Sequence, residues 1–136
     1  MKLRSILAFL LIAVFALPAR AELQIDVNGA VRDPLPLAFP EIISSTPSAE
    51  DYGERIREVV IADLERSGLF RIIPDNSYIQ ELKSINEQPN FTDWKAINAH
   101  ALVQSAISEV NMQNLKVEMR LWDVYAENQM KGQSFT

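Results

Sequence analysis

The 136-residue chain contains no cysteine and a single histidine, His100. Disulfides are thereby excluded, and so is a zinc cluster built from its usual Cys and His ligands. The 4 glycines are scattered, so no glycine-rich loop can cradle a phosphate, and no Gly-x-Ser-x-Gly turn displays a serine nucleophile. There is no internal repeat and no low-complexity segment. The uncharged run from Ser5 to Ala19 is about 15 residues long, short of the roughly 20 that span a bilayer.

That run fits a removable secretory signal instead. Lys2 and Arg4 supply a basic start, the apolar stretch follows, and Pro18 breaks it. Ala19-Arg20-Ala21 then places small residues where a signal peptidase reads, which makes Glu22 the expected mature terminus. A lipoprotein signal would need a cysteine at that point. Residues 1–21 are therefore read as a signal peptide, and no membrane insertion is expected after cleavage.

Removing 21 residues leaves 115, a normal length for one domain. All 18 acidic residues stay, while Lys2, Arg4 and Arg20 are lost from the 13 basic ones, so the mature net charge is −8. So acidic a domain is a poor candidate for nucleic acid, whose usual footprint is a basic patch. Without disulfides the fold must rest on its own core, and the length suffices for one.

Along the mature chain, Glu22-Leu23-Gln24-Ile25-Asp26-Val27 alternates polar and apolar residues at the period of a half-buried strand. Asn28-Gly29 interrupts it as a hinge, and Asp33-Pro34-Leu35-Pro36 marks a boundary. The body begins with a short buried strand around Leu37-Ala38-Phe39. A helix follows, with Ser48 as N-cap, Glu50 and Asp51 at its positive end, and Tyr52, Ile56, Val59, Val60 and Leu64 as the buried face. Gly68 suits the left-handed position that ends it, with Leu69 folding back on the last turn.

Phe70 to Ile73 reads as a strand stopped by Pro74, and Ser77 to Ile85 as a short helix with Tyr78, Ile79 and Leu82 inward. After a loop, Thr92 caps a helix from Asp93 to about Ala99, with Trp94 and Ile97 buried. Three strands close the chain: Ala101 to Ile107, Leu115 to Asp123 and Gln129 to Phe135. The order predicts the α/β (α+β) class, a mixed β-sheet with two or three helices packed on it, preceded by a flexible amino-terminal arm at 22–33. Ending in strand-like sequence at Thr136, residues 34–136 look like an incomplete domain of a longer protein.

Catalytic chemistry finds little support. His100 stands where a helix ends, a place that favours a partner of the helix carboxyl end over a catalytic base. Glu50, Asp51, Glu54, Glu58 and Glu65 could pair as acid and base, but Arg55, Arg57 and Arg66 interleave them as on a solvated helix face. Trp94 and Trp122 could mark a ligand pocket, with core packing the simpler reading. Asn90-Phe91-Thr92 matches a glycosylation acceptor, which chance and a capping Thr92 explain as well. No metal, no cofactor and no enzymatic activity are expected.

The arm is the feature that these plainer readings do not absorb. An amphipathic strand on a glycine-containing tether can add to a partner's sheet, main chain giving affinity and alternate side chains specificity. Ordering six residues costs roughly 6–12 kcal/mol. Burying Leu23, Ile25 and Val27 returns roughly 4.5–9 kcal/mol. The near balance suits reversible docking. The arm can equally be the first strand of its own domain.

At this point a resemblance enters. Ala62-Asp63-Leu64-Glu65-Arg66-Ser67-Gly68-Leu69-Phe70-Arg71-Ile72-Ile73-Pro74 resembles the amino-terminal domain of the TolB family, periplasmic components of the Tol-Pal system of Gram-negative envelopes. Phe91-Thr92-Asp93-Trp94-Lys95, Leu121-Trp122-Asp123-Val124 and Gly132-Gln133-Ser134-Phe135 are similar to that family in the same order, as are the signal peptide and Glu22 to Val27. The resemblance implies an adaptor whose residues Glu22, Leu23, Gln24, Ile25, Asp26 and Val27 bind the carboxy-terminal domain of TolA. It further implies a role in outer-membrane integrity and invagination at cell division, and use by colicins and filamentous phage. Pal, the peptidoglycan-associated lipoprotein, would be bound by a carboxy-terminal β-propeller that this sequence lacks, and a helix expected after Phe135 is missing too. A small periplasmic ligand-binding module, using the face near Trp94 and Trp122, is the alternative. An enzyme relying on carboxylates ranks last.

Overall fold

The computed structural model describes residues 33–111 and 113–136. The signal peptide, the strand Glu22 to Val27 and the hinge at Asn28 and Gly29 lie outside the described residues. Among the described residues six strands form one mixed sheet: β1 (Leu35–Ala38), β2 (Ile43–Ser44), β3 (Phe70–Ile72), β4 (Ala101–Asn111), β5 (Asn114–Asp123) and β6 (Asn128–Phe135). Helix α1 (Pro47–Arg66) joins β2 to β3, and the shorter α2 (Phe91–Ala96) precedes β4. The spatial order is β3-β1-β4-β5-β6, with β2 beside β4 further along. β1 runs parallel to β3 and β4, while β4, β5 and β6 form an antiparallel meander. The expected class and the two packed helices are as found.

Alternation along the strands sorts side chains between two layers. Leu37, Phe39, Ala101 and Ile107 face α1, where Ala49, Ile56, Val60, Ile61 and Leu64 pack on them. Ala38, Leu102 and Trp122 face the other way and meet Phe91 and Trp94 of α2 together with Ile73 and Leu82. The sheet is thus covered on both sides over β1 and β4. Two edge-to-face contacts, Tyr78 on Trp94 and Phe91 on Trp122, fill the α2 layer.

The start of α1 differs from the expectation. Thr46, not Ser48, is the N-cap: its hydroxyl accepts from the Ala49 N–H, and Pro47 fills the first helical turn, where its missing N–H costs nothing. The buried face also differs, since Tyr52 and Val59 are exposed. The inward stripe is Ala49, Gly53, Ile56, Val60 and Leu64, because the first half of α1 lies so close to the sheet that only small residues fit. A Cβ at Gly53 would stand 3.3 Å from the Ile42 Cβ and 3.4 Å from an Ile107 methyl.

Gly68 takes the left-handed conformation expected of it, at φ 70°. Leu69 does not fold back and is exposed. The Ser67 hydroxyl closes the helix instead, donating to Leu64 O and accepting from the Leu69 N–H. The helix expected from Ser77 to Ile85 is absent. A 3-10 turn at Asp75–Ser77 leads through an extended Tyr78 into chain that is neither helix nor strand, with Leu82 buried, Tyr78 half-buried and Ile79 exposed. Tertiary bonds outweigh local helix propensity there, for Gln80 Oε1 accepts from both the Asn90 N–H and the Trp94 Nε1–H.

Helix α2 is shorter than expected, and Asn90 rather than Thr92 caps it, accepting from the Thr92 N–H. It ends in a Schellman motif: Ala99 N–H bonds Trp94 O, Asn98 N–H bonds Lys95 O, and Asn98 sits at φ 59°.

Candidate functional site

The described chain enters the sheet through β1, whose first bond is from Leu35 N–H to Leu69 O. Beside it, His100 N–H donates to Pro36 O and His100 O accepts from the Val124 N–H, stitching β1 to the β5–β6 turn. Far from capping α2, which ends at Ala96, His100 lies with its ring 4.8 Å from that of Tyr125. Lys95 pairs with Glu127 across the same corner. The corner where the described chain enters the sheet is therefore firmly bonded.

The carboxylates read as a solvated face are so placed, with Glu50, Asp51, Glu54, Glu58 and Glu65 all exposed. Among the described residues, no three His, Asp or Glu side chains converge to hold a metal ion. Trp94 and Trp122 are core residues, with both indole N–H groups satisfied, by Gln80 and by Gln104. Asn90 of the glycosylation match is occupied as the α2 cap and donates to Asp93.

A cleft of about 660 Å³ opens between the start of α1, β2 and the segment after Tyr78. Its back wall is a polar knot. The Arg57 guanidinium donates to Phe39 O and pairs with Asp75, and the Tyr78 hydroxyl accepts from the Phe39 N–H while donating to Ile73 O. Burial pushes the Tyr78 phenol above its ordinary value; the Phe39 N–H opposes the rise and the Asp75 carboxylate adds to it. Ile42 and Leu82 line the cleft as buried apolar residues, and Glu41, Glu50, Glu54 and Glu81 stand around the rim.

Sequence reasoning missed β2 and this cleft, and it read Arg57 as merely solvated although only 16% of its side chain is exposed. One signal was available: Gln104 is a lone long polar side chain within the run Ala101 to Ile107. It is fully buried, where its Nε2 donates to Ser84 O and Glu87 O and its Oε1 accepts from Trp122.

Solved structures share this arrangement of a mixed sheet with a long helix on one face and a short helix on the other. The LpoB C-terminal domain of Salmonella enterica matches it at a TM-score of 0.58 and 12% identity, covering 79% of this chain and 84% of that one. TolB from Acinetobacter baumannii matches at 0.59 and 19%, covering 77% of this chain and 23% of that chain. At such identities the likeness is one of fold alone.

Sequence narrows the class. The family model of the TolB amino-terminal domain matches residues 23–130. The Tol-Pal system protein TolB of Paramagnetospirillum magneticum is 42% identical over 135 residues, 96% of this chain and 30% of that protein. This chain belongs to the TolB amino-terminal domain family. It spans under a third of the length of that relative.

Proposed function

We propose that the chain acts in the periplasm as a non-enzymatic adaptor of the Tol-Pal system, docking the TolA carboxy-terminal domain through Glu22 to Val27. The observation that carries this reading is the family match beginning at residue 23, inside the alternating strand. Residues 23–27 thus lie within the range that the family model matches, and their alternation suits addition to a partner's sheet. The body supplies the anchor, since β1 is bonded on both sides immediately after the arm. Coupling to TolA would serve outer-membrane integrity and inward movement of the outer membrane at division. Contact with Pal, which the resemblance assigns to a propeller, is not proposed for this domain.

Export would expose Glu22 as the new terminus, with residues 22–33 as the working arm and the remainder as its support. Pull-down by an immobilised TolA carboxy-terminal domain tests this directly. Retention of the mature chain and loss of a form lacking residues 22–33 is the expected result. Equal retention of both forms would sink the proposal.

A further inference from the structure

The cleft and the open edge of β2 lie outside the arm reading and stand independently of it. Ser45 N–H donates to Ile107 O across the β2–β4 ladder. Neighbouring residues of a strand direct their main-chain groups to opposite sides, so the Ser44 N–H and C=O face away from β4. Among the described residues no strand pairs with that side of β2. Ser44 lines the cleft, whose volume of about 660 Å³ falls within the range of ligand clefts.

We propose that this cleft receives an extended basic peptide segment of a partner protein, which adds as a strand to the free edge of β2. Charge selects the class of occupant. Arg57 is engaged by Asp75 and Phe39 O, which leaves Lys83 facing the carboxylates of Glu41, Glu50, Glu54 and Glu81. Such a rim repels anions and attracts lysine or arginine side chains. A chelated cation fits less well, because among the described residues no three carboxylates converge.

The walls select an extended shape. Ile42 and Leu82 line the cleft as buried apolar residues, and Ile79, 61% exposed, lines it from the segment after Tyr78. Alternate side chains of an added strand would reach these apolar residues while the others meet the acidic rim. The wall is already set in place. Tyr78 is pinned by Phe39 and Ile73, and Gln80 by Asn90 and Trp94, so little ordering is left for binding to supply.

The test uses the intact mature chain, a fluorescent decapeptide of alternating lysine and valine, and a glutamate-valine control. Anisotropy gives affinity, and backbone amide shifts locate the site. The basic peptide should bind saturably, weaken as salt rises and shift the Ser44 and Glu81 amides, while the acidic control does not bind. Reversing two rim charges, Glu50→Lys with Glu54→Lys, should weaken it at least tenfold. A peptide N-methylated at every second residue should also bind at least tenfold more weakly, which tests main-chain pairing without altering the protein. Ser44→Pro should act likewise and still fold, since the lost N–H points off the ladder.

No saturable binding at millimolar peptide would overturn the proposal. So would equal binding of the acidic peptide, undiminished binding to the charge-reversed form, or shifts confined to β6, the eight-residue strand at the end of the sheet. Undiminished binding of the N-methylated peptide would remove strand addition. Magnesium producing the same shifts as the peptide would assign the rim to a cation instead.

Discussion

Tyr78 shows how one side chain holds several segments together. Its hydroxyl joins the Phe39 N–H to Ile73 O, and its ring meets Trp94. Replacing it with phenylalanine leaves the Phe39 N–H without that partner, so Tyr78→Phe should cost about 1–3 kcal/mol in urea unfolding at neutral pH. Its raised pKa adds a signature in alkali. Below about pH 10 the phenol is protonated in folded and unfolded chains alike, and its contribution is intact. Above that, the unfolded chain ionises first, and stability falls as pH climbs through the raised folded value. Tyr78→Phe should lose that part of the alkaline decline. Ser105 behaves in the opposite sense: its hydroxyl is buried with no hydrogen-bond partner among the described residues, and nothing in the structure explains it. Ser105→Ala should leave stability unchanged or raise it by up to about 1 kcal/mol, read from the same urea curves.

At the scale of elements, large apolar residues were legible and small ones were not. The strands Phe70–Ile72, Ala101–Asn111 and Asn114–Asp123 announce themselves by β-branched and alternating apolar residues. In α1, Tyr52 and Val59 carry hydrophobicity on the wrong side, because Ala49 and Gly53 set the closest approach to the sheet. A hydrophobic pattern gives no weight to a glycine chosen for its lack of bulk. Gly53→Val should therefore destabilise by about 1–3 kcal/mol, seen as a lower denaturation midpoint. Gly68, at φ 70° with open space around it, should lose about 1 kcal/mol on change to alanine through backbone conformation alone. The two-residue β2 and the segment after Tyr78 were illegible for another reason. β2 is held by its pairing with β4, and the segment after Tyr78 by bonds of Tyr78 and Gln80 to distant partners, none of which local sequence encodes.

At the scale of the whole chain, the proposed docking arm and the described body carry separate expectations. The body from β1 onward buries its own two-layer core, with Phe39, Trp94 and Leu102 fully inside. Its fold should not depend on the apolar residues of Glu22 to Val27. The arm was legible only as alternation of polar and apolar residues. Partner docking and stability should therefore respond to different substitutions. Titration calorimetry of a TolA carboxy-terminal domain into the mature chain and its Ile25→Asp form, with thermal melts of both, measures that separation most directly. Affinity at least tenfold weaker for Ile25→Asp, with the melting temperature unchanged, is the expected result. Equal affinity for the two forms, or a weakening accompanied by a matching loss of stability, would contradict it.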